Sequence, residues 1–261
     1  MITKELLKEC RLEFDEYFQS LVTNSPDNQH KVEEIRAHSI RVSANALLLA
    51  NIVLQTEGEK RIAELTGLFH DFGKASLIIQ GTDSPTNIQR DHASLSAKLI
   101  EQMRFYSKLP AEIQLIVLRS VENHSKLKLP KLDNEQQTLF AGLLRDADKL
   151  DIYDSSYRFF KEKYGIQPIV TFDLIKNADI SEKIMKSIQS GKTAVYGDMR
   201  TMNDYKLLLI SMAFDLNFKV AFRILSEKQY LQKIYETLPR RDPIIDAYRG
   251  IKLFTENKFI S

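Results

Sequence analysis

The amino-acid sequence predicts an all-α fold, a helical bundle with a helical C-terminal extension. Apolar residues recur at three- and four-residue spacing along most of the 261 residues, which is the period of an amphipathic helix. Alternating runs typical of β-strands are few. Only nine glycines and seven prolines interrupt the pattern, so long helices can form.

The predicted helices follow one another in chain order. The spacing predicts helices over 3–22, 30–55, 59–71, 91–106, 111–124, 135–163, 180–189, 202–216, 218–225, 228–237 and 243–257. Residues 73–91 form the longest predicted irregular segment, because they include Gly73, Gly81 and Pro85. Loops of that length are often functional lids, so we expect this segment to form a substrate entrance.

The length allows one large domain or two small ones. The composition does not shift near residue 165. We therefore expect one domain over 1–261, with a core at about 33–160 and an extension at about 165–261. The sequence leaves the oligomeric state open, with a homodimer as one option.

The charge balance argues against a long nucleic acid as partner. The chain has 37 basic and 35 acidic side chains, a net charge of +2, so it lacks the strong field that holds a nucleic acid backbone. A small phosphorylated substrate needs only a local basic cluster. With one cysteine, no secretion signal and no apolar run of roughly 18 residues, we expect a cytoplasmic protein without a disulfide framework or membrane partner.

Four of the five histidines lie on four different predicted helices or beside them. They are His38, His70, His92 and His124, and only His30, at the start of the helix that also carries His38, lies outside this pattern. A further helix supplies the aspartates of "LLRDADKLD", namely Asp146, Asp148 and Asp151. Imidazoles and carboxylates from separate helices are what a bundle needs to build an interior metal site.

This set of side chains favours a divalent transition metal. Imidazole with carboxylate suits Mn, Fe, Co, Ni or Zn better than Mg, which remains an option. In "GLFHDFGKAS", Asp71 follows His70 directly and could bridge two ions if the helix frays there. Two ions would hold a hydroxide and clamp a phosphoryl group, so we expect one or two ions.

The order His38, then His70-Asp71, then an aspartate in "DADKLD" resembles the HD superfamily of metal-dependent phosphohydrolases, which have a helical fold. The histidines of "DHASLSAKL" and "NHSKLKLP" resemble the fuller pattern with six ligands and two metals, found in a bacterial branch of that superfamily. The resemblance covers roughly residues 33–160 and includes five elements in the right order.

The resemblance implies a set of metal ligands. They are His38, His70, Asp71, His92, His124 and one aspartate of "DADK". Family patterns favour an aspartate after alanine, which is Asp148 here. Asp146 and Asp148 lie about 200° apart around a helix axis, so both cannot face one ion.

Lys74 matches the lysine of the "HDxGK" form of the motif, so the resemblance implies a contact with substrate phosphate. We expect Asp71 and Lys74 to be catalytic. Further candidates for phosphate contact flank the ligands: Arg41, Arg90, Lys126 and Arg145. Arg41 and Arg145 could instead support ligands or lie at the surface. Asp151 and Asp154 could face solvent, bind arginine or orient a ligand histidine.

The resemblance implies a phosphohydrolase in which a metal-activated hydroxide attacks a phosphate ester or anhydride of a nucleotide or related small molecule. The same scaffold also occurs in di-iron oxygenases, and "HDFGKAS" is similar to HD nucleases of CRISPR-associated helicases. A metal-free binding module is a fourth alternative. The chain lacks the paired histidines and "GYP" of the cyclic-dinucleotide branch, which makes that activity a weaker expectation.

Overall fold

A computed structural model describes residues 2–81, 85–161 and 179–260, apart from the side chains of 85–91 and 260. The helices are α1 Lys4–Asn24, α2 Gln29–Val53, α3 Glu57–Phe69, α4 Phe72–Ile79, α5 Pro85–Glu101, α6 Ala111–Asn123, α7 Glu135–Lys161, α8 Glu182–Gln189, α9 Met202–Ser211, α10 Lys219–Glu227, α11 Tyr230–Tyr235 and α12 Asp242–Ile260. The described residues contain no β-strand. The all-α prediction is confirmed.

The expected irregular segment at 73–91 is wrong. Helix α4 covers Phe72–Ile79, and α5 already begins at Pro85. The apolar run "ASLII" buries Ala75, Leu77 and Ile78, and this burial outweighs the loop signal of the neighbouring glycines. The substrate entrance predicted for this segment is therefore not a long loop, and residues 82–84 lie outside the described residues.

The chain divides into two compact units, Met1–Asp151 and Ile152–Ser261. Helix α7 contributes to both units. The expected single domain with a core at 33–160 stays a prediction. No helix of the described ranges has the length and apolar character that a membrane crossing requires.

A cluster of aromatic rings forms part of the core of the first unit. Its members are Phe14, Phe18, Phe69, Phe72 and Phe105, all at most 2% exposed. The Phe69 ring centroid lies 4.7 Å from those of Phe72 and Phe105. Because Phe69 and Phe72 flank the His70-Asp71 doublet, this cluster fixes the backbone on both sides of it.

A close helix crossing positions α3 against α2. A Cβ at Gly67 would lie 2.7 Å from the Cα of Ser43, so only glycine fits there without a shift of the backbone. The Ser43 hydroxyl donates to the carbonyl oxygen of Glu64 at 2.9 Å. This crossing brings His38 on α2 towards His70 at the end of α3.

The second unit is held by a capping network and an apolar interior. Asp204 accepts hydrogen bonds from the backbone N–H of Ser181, Arg200 and Thr201, and Thr201 caps α9. Ile184, Leu209 and Ile251 are completely buried. These contacts join α8, α9 and α12 in one core.

Candidate metal centre

The structure brings all six predicted ligands together in the first unit. His38 lies on α2, His70 follows α3, Asp71 precedes α4, His92 lies on α5, His124 follows α6 and Asp148 lies on α7. Three groups of three among them have ligand atoms within 4.8 Å of one another. The assignment of these residues as ligands stays a prediction, and the geometry below supports it.

A break between two helices lets adjacent residues serve one site. Helix α3 ends at Phe69, and Asp71 adopts φ −107° and ψ 19° before α4 begins. On a continuous helix, neighbouring side chains diverge by about 100°. The break at Asp71 removes this divergence, so His70 and Asp71 both point into the cluster.

The Asp71 carboxylate lies between two pairs of histidines. Its Oδ2 lies 3.6 Å from Nε2 of His38 and 3.6 Å from Nε2 of His70. Its Oδ1 lies 3.6 Å from Nε2 of His92 and 3.6 Å from Nε2 of His124. Each oxygen therefore has its own histidine pair, and the carboxylate belongs to both halves of the cluster.

Distances within each pair match the ligands of a single ion. The Nε2 atoms of His38 and His70 are 3.3 Å apart, and those of His92 and His124 are 3.1 Å apart. The Asp148 carboxylate joins the first pair, with Oδ1 3.2 Å from Nε2 of His38. Ligands bound at about 2.1 Å in tetrahedral or octahedral geometry lie about 3.0–3.4 Å from one another.

Local hydrogen bonds fix the tautomers of two histidines. Nδ1 of His70 lies 2.8 Å from the carbonyl oxygen of Gly67, and Nδ1 of His124 lies 2.7 Å from that of Val121. A carbonyl oxygen can only accept, so both Nδ1 atoms carry a proton. In the neutral rings, Nε2 then presents its lone pair to the cluster.

His38 is oriented differently, by a carboxylate from another helix. Its Nδ1 lies 2.7 Å from Oδ2 of Asp151 on α7. Arg41 donates to the same carboxylate, from Nε to Oδ1 at 2.6 Å and from Nη2 to Oδ2 at 3.1 Å. The possibility that Asp151 binds arginine and orients a ligand histidine matches this geometry.

Electrostatics prepare these side chains to bind a cation. Burial lowers the pKa of His70 to about 4, so its ring is neutral at physiological pH. Burial opposes ionisation of Asp71, but Lys74 and the neighbouring imidazoles hold the pKa of this carboxyl well below its usual range. Burial has the same opposing effect at Asp148, where hydrogen bonding to His38 lowers the pKa.

The pKa of His38 is shifted upwards, opposite to that of His70. Burial alone would lower its pKa, but hydrogen bonds to Asp148 and Asp151 outweigh this and raise the pKa to about 9. A metal ion bound at Nε2 therefore has to replace a proton at that atom. The carboxylates that raise the pKa would equally favour a bound cation.

One buried oxygen supports a metal ion in the second half of the cluster. Asp71 Oδ1 is buried and has no hydrogen-bond partner among the described residues. An ionised oxygen in that position is costly unless a cation or donor satisfies it. The nearby Nε2 atoms of His92 and His124 are 3.1 Å apart, a separation that requires a proton or a cation between them. The residues therefore fit a bound metal.

Comparison with protein families gives a match to this part of the chain. The family model of the HD domain matches residues 35–153. These residues are similar to HD domains, and the name HD domain is used for this segment. HD domains are generally metal-dependent hydrolases and have an all-α fold. No curated protein and no solved structure matched the chain.

Within the HD domain, Lys74 and Asp148 lie on the partly exposed side of the cluster. The Lys74 Nζ is 3.0 Å from Oδ2 of Asp71, and its side chain is 21% exposed. Side chains of His38 and Asp148 are 14% and 15% exposed, whereas that of His70 is completely buried. This side of the cluster is therefore accessible to solvent.

The other predicted phosphate contacts lie in varied surroundings. Arg41 is engaged with Asp151. Arg145 is 2% exposed and donates from Nη1 to the carbonyl oxygens of Asn123 and His124, so it stabilises the backbone at a predicted ligand. Lys126 is exposed. The Arg90 side chain lies outside the described residues. The substrate roles of all four stay predictions.

Asp146 and Asp148 are separated by the structure as the helix geometry requires. Asp148 takes part in the cluster. Asp146 is completely buried and is not among the grouped ligand residues. The choice of Asp148 therefore agrees with the side of α7 that faces the histidines.

Sequence reasoning missed the role of Gly73 in the HD domain. A Cβ there would lie 2.2 Å from the carbonyl oxygen of His92 and 2.7 Å from the backbone N of Ser96. The N–H of Gly73 donates to Oγ of Ser96 at 2.8 Å. This contact sets the distance between α4 and α5, and thus between Asp71 and His92. The glycine two residues after Asp71 was the sequence signal that could have indicated this close helix contact.

Proposed function

We propose that the HD domain is a phosphohydrolase that cleaves a phosphate ester or anhydride of a nucleotide or related small molecule. The observation that carries the proposal is the Asp71 carboxylate, whose two oxygens each face a separate histidine pair. This arrangement supports two divalent ions that share Asp71. When bound, such ions provide a water-derived nucleophile at neutral pH and stabilise charge on a phosphoryl group.

The proposed ligand sets follow the two halves of the cluster. His38, His70 and Asp148 would hold one ion, and His92 and His124 would hold the other. Besides the shared carboxylate, the cluster provides four imidazole nitrogens and one carboxylate, that of Asp148. This mixture suits Mn, Fe, Co, Ni or Zn. Which of these metals is bound is part of the proposal to be tested.

Lys74 is the residue proposed to contact substrate phosphate. Its ammonium lies on the partly exposed side of the cluster and beside Asp71. Burial opposes the charge, but the neighbouring carboxylate of Asp71 raises the pKa of Lys74, so the group is cationic. A charged donor at this point would bind a phosphoryl oxygen and offset the charge that develops during transfer.

The lone cysteine does not compete with water as the nucleophile. Cys10 lies on α1 and is completely buried. Burial raises the pKa of its thiol to about 12, so almost no thiolate exists near neutral pH. Hydrolysis by metal-activated water needs no such group.

The function is tested by a screen for phosphate release. Metal-free protein is reloaded with Mn, Co, Ni, Zn, Fe or Mg and incubated with p-nitrophenyl phosphate, bis-p-nitrophenyl phosphate and nucleoside mono-, di- and triphosphates. We expect release with at least one transition metal, loss with a chelator, and recovery when the metal is restored. Failure of every loaded form, together with oxygen uptake by the iron form, would favour the oxygenase.

A matched pair of histidine variants distinguishes the activity of this protein from that of contaminating phosphatases. His70→Ala removes a completely buried predicted ligand, whereas His30→Ala changes an exposed histidine outside the cluster. Activity of this protein should disappear in the first variant and persist in the second. Equal activity in both would assign the release to a contaminant or to another site.

The role of Lys74 gives a second measurable outcome. Lys74→Gln should raise KM by about 10- to 100-fold, because a charge-assisted hydrogen bond of about 1.5–3 kcal/mol is lost. Lys98→Gln, at an exposed position of α5, is the matched control and should leave KM unchanged. Steady-state kinetics with the best substrate of the screen measure both. An unchanged KM together with an unchanged kcat in Lys74→Gln would remove this residue from the substrate site.

A further inference from the structure

Asp151 contacts the predicted ligand His38 but is not one of the grouped ligand residues. It lies three residues after Asp148 on α7, so both side chains leave the helix on similar sides. Its side chain is 3% exposed. Three hydrogen bonds reach its two oxygens, one from His38 and two from Arg41. These partners stabilise its charge and leave it poorly suited to bind a metal directly.

We propose that Asp151, clamped by Arg41, is a positioning residue that fixes the tautomer and ring orientation of His38 for metal binding. The proposal rests on the metal site of the proposed function and deepens it. It assigns to Arg41 the task of holding Asp151, which differs from the phosphate contact expected from the sequence.

The position of His38 within its helix explains the need for a partner from another helix. His70 and His124 follow helix ends, where the last carbonyls have no helical partner, and each uses the carbonyl three residues earlier. His38 lies inside α2, Gln29–Val53. The carbonyls around it are engaged in the helix, so its Nδ1–H must find an acceptor elsewhere. Asp151 provides that acceptor.

Arg41 and His38 share one face of α2. They are three residues apart, the spacing of neighbours on a helix surface, and both contact Asp151. The guanidinium approaches the carboxylate with two nitrogen atoms, Nε and Nη2, which restricts rotation of the carboxylate. The three side chains thus connect α2 to α7 at the level of the cluster.

An amide cannot replace the carboxylate at this position. In Asp151→Asn, one oxygen becomes an NH2 group. If that group replaces Oδ1, it meets the Nε–H donor of Arg41 and the clamp on the side chain is lost. If it replaces Oδ2, it meets Nη2 of Arg41, Nδ1 of His38 must accept, and the proton moves to Nε2. The second arrangement blocks the atom that would bind the metal. Neither arrangement removes a predicted ligand.

The test measures metal affinity directly, without relying on turnover. Dissociation constants for Zn and Mn are measured by competition with a chromophoric chelator in parent, Asp151→Asn, His38→Ala and the double variant. We expect Asp151→Asn to raise the Kd of the ion that His38 would hold by about 10- to 100-fold, the usual cost of losing such a partner. In the His38→Ala background, the same change should alter Kd by less than about 2-fold, because its effect passes through His38.

A spectroscopic measurement complements this double-mutant cycle of Asp151 and His38. The Nδ1–H of His38 in the zinc-loaded protein should give a downfield proton resonance, since it donates to a carboxylate. The resonance should vanish in His38→Ala and shift or vanish in Asp151→Asn. A second variant, Arg41→Gln, retains the Asp151 carboxylate and should raise Kd by a smaller factor, which keeps the test usable if Asp151→Asn fails to fold.

A surface pair provides the matched control. Asp15 accepts from Nη2 of Arg36 at 2.7 Å, so Asp15→Asn breaks an aspartate–arginine pair that holds no histidine. Its Kd should equal that of the parent. The positioning role would be overturned by an unchanged Kd in folded Asp151→Asn, or by an equal increase in Kd in the presence and absence of His38. Either result would leave the proposed metal site standing. A parent protein that binds no metal would overturn both proposals.

Discussion

Asp71→Asn is expected to reduce phosphate release by at least about 10³-fold. The substitution keeps the size of the side chain but removes the charge that both halves of the cluster share. A metal ion contributes several kcal/mol to stabilising transferred phosphoryl charge, and each 1.4 kcal/mol is a factor of ten in rate. Metal analysis should show a lower metal content per chain, and initial rates should show the loss of activity.

Asp133→Asn is the control for this change. Asp133 is exposed and lies between α6 and α7, so the variant makes the same change in charge away from the cluster. It should match the parent in metal content and rate. Asp71→Asn protein that keeps both ions and its activity would contradict the assignment of Asp71 as the shared ligand.

Gly73→Ala is expected to destabilise the first unit and weaken its metal binding together. The added Cβ would lie 2.2 Å from a backbone oxygen and 2.7 Å from a backbone nitrogen of α5, neither of which can rotate away. Overpacking of this kind costs up to about 3 kcal/mol, which corresponds to a fall in Tm of about 6–12 °C. Because His92 lies on α5, the same shift should weaken metal affinity.

Gly250→Ala tests whether the effect is steric. Gly250 lies within α12, and nothing is found within 4 Å of its added Cβ. Alanine at an open helical position should be neutral or stabilise by about 0.5–1 kcal/mol. Thermal unfolding followed by circular dichroism compares the two variants. Equal Tm values for Gly73→Ala and the parent would mean that α4 and α5 tolerate a wider separation.

The helices and the members of the cluster could be predicted because both depend on local patterns. Apolar spacing gave α7 as 135–163, close to the observed Glu135–Lys161. The histidines stood out because imidazoles near apolar helix faces need a partner. The choice between Asp146 and Asp148 also followed from helix geometry alone, since residues two apart cannot face the same ion.

The sequence could not predict features that depend on contacts between distant segments. Asp151 and Arg41 are separated by 110 residues, and no local pattern indicates that they meet at His38. The fit of Gly73 against α5 depends on how two helices cross. Helix α4 was misread because burial of its apolar residues overrides the loop tendency of the glycines around it.

The helix break at the His70-Asp71 doublet makes these two residues an indivisible unit. Other predicted ligands lie on different helices, so the connections between them can lengthen or shorten without moving a ligand. The doublet has no such freedom. An extra residue inserted between His70 and Asp71 would move the two side chains apart and carry Phe72 away from Tyr17, whose hydroxyl donates to the Phe72 carbonyl at 3.1 Å. We therefore expect natural variation in chain length to spare this peptide bond and to concentrate in the connections.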